Sequence, residues 1–192
     1  MKKFLLAFLL LLLCNYAGSN NQAGEDGRFS IGGELAAPTA TFAKQQGIGY
    51  GATMRLEAPV GNQTALMFTF GYLQITTHNP PALNTFSLDT GPSFLIPVQL
   101  GLKVYFQEQQ SGFYLMMNGG AHGYRGAIED STGGHKIKFA VSYAPEFGCH
   151  LENVDIGLRV QFINTPDHIT SYIGFRLAYV FGDGVRPTFF GD

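Results

Sequence analysis

Apolar residues recur at every second position over long stretches of this chain, the pattern of strands whose two faces meet different surroundings. It is cleanest over residues 96–106, where Ile96, Val98, Leu100, Leu102, Val104 and Phe106 alternate with Pro97, Gln99, Gly101, Lys103 and Tyr105. Residues 48–58, 154–162 and 173–181 repeat it. Four weaker segments, 29–37, 64–75, 112–124 and 136–149, bring the expected number of strands to eight. The intervening stretches alternate in length. Residues 59–63, 107–111 and 150–153 predict tight turns, whereas 38–46, 76–93 and 126–135 are long and rich in Gly, Pro, Asn and Thr, and 164–168 is shorter. Short turns at one end and long loops at the other predict an all-β fold, an eight-stranded antiparallel up-and-down transmembrane β-barrel with both strand termini on the short-turn, periplasmic side.

Two barrels fit such alternation with opposite facings. A soluble barrel buries its apolar set; a membrane barrel turns that set to lipid. In the four clearest strands the apolar set carries no charge, and the other set holds Arg55, Glu57, Lys103, Asp155, Arg159 and Arg176 among glycines. Small residues mixed with both signs of charge suit a crowded interior, which favours the membrane facing. By the same parity Glu34 and Glu146 join them, giving four acids and four bases. An eight-stranded barrel is only wide enough for side chains to fill it, and buried charges must pair. These eight residues are therefore expected to form an interior ion-pair network that occludes the lumen.

Composition strengthens this picture. Charged residues are 14% of the chain, well below the roughly 25% of soluble proteins, while Phe, Tyr and 25 glycines are abundant and Trp is absent. The net charge of −2 and the lack of a basic patch exclude a nucleic-acid partner. At the start, Lys2 and Lys3 precede the apolar run 4–13 and the small residues Ala17, Gly18 and Ser19. That order predicts a signal peptide over 1–19, its apolar run about half the ~20 residues of a spanning helix. Lipoprotein processing at Cys14 is disfavoured by Leu13, and after signal removal Cys149 is left without a disulfide partner. A barrel over 20–181 and a short tail over 182–192 complete the expected organisation.

The segment Ser171-Tyr172-Ile173-Gly174-Phe175-Arg176-Leu177-Ala178-Tyr179-Val180-Phe181 resembles the terminal β-signal of outer-membrane barrels, through Ser171, Tyr172, Gly174, Leu177, Tyr179 and the closing aromatic Phe181. Residues 29–38 and 96–106 resemble an opening and a central strand of porin-family outer-membrane β-barrel domain proteins, the small outer-membrane protein A/X-like barrels. The resemblance implies outer-membrane lipid and the barrel-insertion machinery as partners, and a monomer. The β-signal normally ends a chain; here 182–192 follow, with Phe189 and Phe190 placed to dock on the rim.

Eight-stranded membrane barrels include lipid A acyltransferases and deacylases, so catalytic groups were sought. His168 and Ser171 are three apart and face opposite ways on a strand; Ser142 and His150 share parity but lie far apart. Neither pair has a third group to orient a base. Cys149 and His150 diverge, His78, His135 and His168 fall in or beside loops, and His122 reads as an interior hydrogen-bonding residue. The glycine-rich run at 119–123 lacks the Gly-Lys-Ser/Thr of a phosphate loop. No enzyme activity, metal or cofactor is expected. Aromatics at Phe29, Phe106, Phe113, Tyr179 and Phe181 predict an interfacial girdle, and the loop 76–93 is the candidate contact surface. The reading is a non-enzymatic outer-membrane barrel with an envelope-structural or loop-mediated role; a lipid A-modifying enzyme, a narrow channel and a soluble ligand-binding barrel are the alternatives.

Overall fold

The computed structural model describes residues 27–39, 43, 46–77, 93–107, 110–125, 137–165 and 169–181. The expected signal peptide, most of the long loops, His78, His135, His168, Phe189, Phe190 and the 182–192 tail lie outside the described residues. Eight strands follow one another: β1 (Arg28–Pro38), β2 (Gln46–Gly61), β3 (Thr64–Thr77), β4 (Ser93–Tyr105), β5 (Gly112–Arg125), β6 (Lys138–Leu151), β7 (Val154–Asn164) and β8 (Ile169–Phe181). Each pairs antiparallel with its sequence neighbour, and β8 returns to β1, closing the barrel.

Every expected strand is present, and most are longer than the pattern indicated. The tight turn placed at 59–63 shrinks to Asn62 and Gln63, and the one at 150–153 to Glu152 and Asn153. Glu152 takes a φ of 49°, the positive φ that two-residue hairpins favour because it matches the right-handed twist of the strands. His150, expected in that turn, belongs to β6 and points into the lumen. The closing ladder between β1 and β8 runs from Phe29–Phe181 to Pro38–Tyr172. A side chain at Gly32 would meet Ala178 backbone and side-chain atoms at 2.5–2.9 Å, so glycine lets the first and last strands approach.

The facing is that of the membrane alternative. Leu100 is 55% exposed on the outer wall, while Lys103, three residues on, is 1% exposed inside. Outward residues of all eight strands are predominantly apolar, including Leu35, Leu56, Phe68, Leu102, Leu115, Phe147, Leu158 and Leu177. Aromatic pairs meet on the outer wall at both ends, all stacked except the edge-on Tyr179–Phe181. Phe29–Phe181, Tyr179–Phe181 and Phe113–Phe147 ring the turn end; Tyr72–Phe94 and Tyr143–Phe162 lie toward the loop end. The second ring was not anticipated from sequence.

Candidate functional site

Among the described residues, polar chemistry is concentrated in the lumen. At the turn end, Arg28 and Lys103 converge on Glu57. Arg28 Nη1 donates to Glu57 Oε1 (3.3 Å) and Lys103 Nζ to Glu57 Oε2 (3.1 Å). The Tyr105 hydroxyl donates to the same carboxylate at 2.7 Å, and Arg28 also reaches the Gln110 carbonyl at 2.9 Å. Gln110, at φ 50°, folds over the mouth and donates to the Gly61 carbonyl (2.8 Å), tying one turn to another.

Asp155, on β7, is the hub of the next layer. It accepts from Lys103 (3.0 Å), Arg176 (3.2 Å) and the Tyr114 hydroxyl (3.0 Å), and lies 4.0 Å from Arg55 and 3.8 Å from His150 Nδ1. Arg55 and Glu146 form a bidentate pair at 2.7 and 2.6 Å across the barrel, the planar fork matching the carboxylate. Arg176 spends its remaining donors on Thr53 (2.8 Å) and Ser30 (2.9 Å). Higher up, Arg159 pairs with Glu34 and donates to the Tyr172 hydroxyl at 2.9 Å.

All eight expected residues, Glu34, Arg55, Glu57, Lys103, Glu146, Asp155, Arg159 and Arg176, are thus buried and each has an oppositely charged partner. Sequence reasoning missed Arg28, because the first strand was started one residue late. Its even position, in step with Ser30, Gly32 and Glu34, was the available signal. The phenols were missed as well: Lys103 Nζ sits 3.9 Å from the Tyr114 ring centre and 4.7 Å from that of Tyr105. These side chains are among the largest fully buried ones in the barrel, and they fill its cross-section. The Tyr114 hydroxyl lies between two carboxylates, Asp155 at 3.0 Å and Glu146 at 3.1 Å, which share its single proton. Tyr114→Phe keeps the ring and removes that donor. It is expected to lower unfolding stability by about 1–3 kcal/mol, read from denaturant midpoints.

Above the ions lies an uncharged polar layer. Gln99 Nε2 donates to Ser142 Oγ (3.1 Å) and to Gln161 Oε1 (3.3 Å), and Ser142 shares a 2.7 Å hydrogen bond with His122 Nδ1. His122 thus bonds within the interior, with a partner that spacing alone did not reveal. His122 and Ser142 are both sealed from solvent, and among the described residues no carboxylate orients the imidazole, as activation of a nucleophile would require. Toward the loop end, Ala36, Leu73, Ile75, Leu95, Ala140, Ile163 and Tyr172 form an apolar layer across the lumen. Among the described residues no group of three or more His, Cys, Asp or Glu side chains could hold a metal ion.

The β-signal residues lie on the closing strand. The Ser171 hydroxyl shares a 2.7 Å hydrogen bond with Thr39, Tyr172 points inward, and buried Gly174 leaves room for Arg159 and Glu34. Leu177, Tyr179 and Phe181 face outward.

No family model matches the chain, and no curated protein sequence matches it. Solved structures do. The N-terminal β-barrel domain of Pseudomonas aeruginosa OprF superposes with a TM-score of 0.55 at 11% identity, covering 82% of this chain and 99% of that one. The outer membrane protein Ail of Yersinia pestis matches in two structures. In phospholipid bilayer nanodiscs it gives a TM-score of 0.53 at 16% identity, covering 81% of this chain and 100% of Ail. In complex with the heparin analogue sucrose octasulfate it gives 0.52 at 13%, covering 83% and 100%. A likeness at such low identity is one of architecture, and the architecture is that of the small eight-stranded antiparallel barrels of the bacterial outer membrane.

Proposed function

We propose that this chain is a non-enzymatic integral outer-membrane protein whose lumen is plugged by its own ion pairs, and that it serves the envelope as a structural element or by presenting its loops. The observation that carries the reading is the inverted facing: an apolar outer wall around a charged, packed interior. A surface of that kind is stable only against hydrocarbon, and a closed barrel is the one sheet that leaves no edge there.

In this reading residues 1–19 are a signal peptide, the turn end faces the periplasm, and 182–192 form a short periplasmic tail. The 171–181 segment would be the signal read by the barrel-insertion machinery, its outward Leu177, Tyr179 and Phe181 offering the apolar row. The folded unit is a monomer in outer-membrane lipid. Bidentate and multiply bonded ions at successive levels, with Gln110 across one mouth and an apolar layer near the other, support a plug over a pore.

Detergent-extracted protein run unboiled and boiled on a denaturing gel is expected to shift in mobility and to fractionate with the outer membrane. Recovery as a soluble protein without a shift would overturn the membrane reading. In a planar bilayer the protein is expected to give no sustained single-channel conductance; steady open steps would replace the plug by the narrow channel.

A further inference from the structure

Apart from the register shifts near the two ends of the β2–β3 ladder, two of the eight ladders are interrupted, and both of these gaps fall at a proline. Between β3 and β4 the pairing passes directly from Phe70–Val98 to Leu73–Leu95. Between β6 and β7 it passes from Tyr143–Phe162 to Glu146–Arg159. The register is unchanged across each gap, so neither is a bulge. Pro97 and Pro145 have no N–H to give, and the residues opposite them, Gly71 and Val160, lose a ladder partner for their carbonyls. Proline is ordinarily kept out of central strands, and in hydrocarbon an unpaired backbone group has no water to turn to.

The two breaks are dressed alike. On the outer wall an aromatic stack lies over each, Tyr72–Phe94 at 5.9 Å and Tyr143–Phe162 at 5.0 Å. Inside, each is flanked by a buried glutamine, Gln99 and Gln161, and these meet across the lumen. Gln161 Nε2 also donates to the carbonyls of Tyr143 (3.1 Å) and Phe162 (3.2 Å), placing a side-chain amide against the broken ladder. Two seams are the minimum for one part of a closed barrel to move against the rest. Here they divide the wall into β4–β6 and the arc β7, β8, β1, β2, β3.

We propose that β3–β4 and β6–β7 are matched seams along which these two shells part locally, and that the Gln99–Gln161 strut latches both at once. Parting at the seams exposes the His122, Ser142 and glutamine layer, while the Arg55–Glu146, Lys103–Glu57 and Lys103–Asp155 pairs beneath it tie the two shells together and keep the opening local. The strut makes the seams interdependent, since releasing either glutamine frees both.

Amide hydrogen exchange of the full-length mature protein in detergent micelles, resolved by NMR, tests this. The Gly71 and Val160 amides should exchange about five- to tenfold faster than Gly32 and Thr53 on the unbroken β1–β2 ladder, the equivalent of one backbone hydrogen bond. Gln161→Leu should speed exchange at both seams, and Pro145→Ala, which restores a donor, should slow it at Val160. Seam amides as slow as those of β1–β2, or a Gln161→Leu effect confined to β6–β7, would overturn the proposal. Should Gln161→Leu not fold, the wild-type rates and Pro145→Ala decide alone.

Discussion

Arg55→Met is expected to destabilise the barrel by about 3–5 kcal/mol, the largest effect of any single substitution proposed for this protein. Arg55 gives both arms of its guanidinium to Glu146, and both residues are sealed from solvent. Removing the cation leaves Glu146 with only the Tyr114 hydroxyl, a buried carboxylate stripped of its counter-charge. The penalty is the desolvation of that orphan rather than the intrinsic worth of the pair. Arg55→Met combined with Glu146→Met should therefore recover most of the loss, since apolar replacements of similar volume are often neutral. Denaturant unfolding in lipid vesicles measures both. The chain has no Trp, so the transition is followed by circular dichroism and gel mobility. A double variant as unstable as the single one would show that the residues pack the lumen by shape and that their charges matter little.

Leu100→Arg is expected to cost about 2–4 kcal/mol, whereas Phe106→Arg at the turn-end rim should cost about 0–1 kcal/mol. Both residues are more than half exposed, on or just beyond the same strand, and both point outward. On a protein surrounded by water neither change would exceed a few tenths of a kcal/mol. A graded penalty with depth along β4 can arise only from a hydrocarbon slab. Equal and negligible effects at the two sites would return the fold to the soluble alternative.

The fold was legible because period-two alternation reports strand existence and facing together. Leu100 and Lys103 differ by an odd number of positions, and the sequence separates them onto opposite faces before any coordinate is known. The charge network followed from the same parity, as Glu34 and Glu146 show. What escaped was anything decided by neighbours across the lumen. No spacing rule connects Arg55 to Glu146, 91 residues apart, or brings His122 to Ser142. Strand ends escaped for a local reason: Arg28 and His150 are polar residues at the extremities of strands, where alternation reads the same as a turn. Pro97 and Pro145 were placed within strands from the start, yet whether a proline's missing donor matters depends on which neighbour its nitrogen would face.

The seam between the first and last strands has a bearing on how the chain is made. Glu34 and Ser30 on β1 find Arg159 on β7 and Arg176 on β8 only when the last two strands are in place. Until β8 is in place the sheet has two unpaired edges, and Asp155, Thr53 and Ser30 lack the Arg176 they bond in the closed barrel. Closure of the β1–β8 ladder is therefore the step at which the polar groups of β1 first meet these partners.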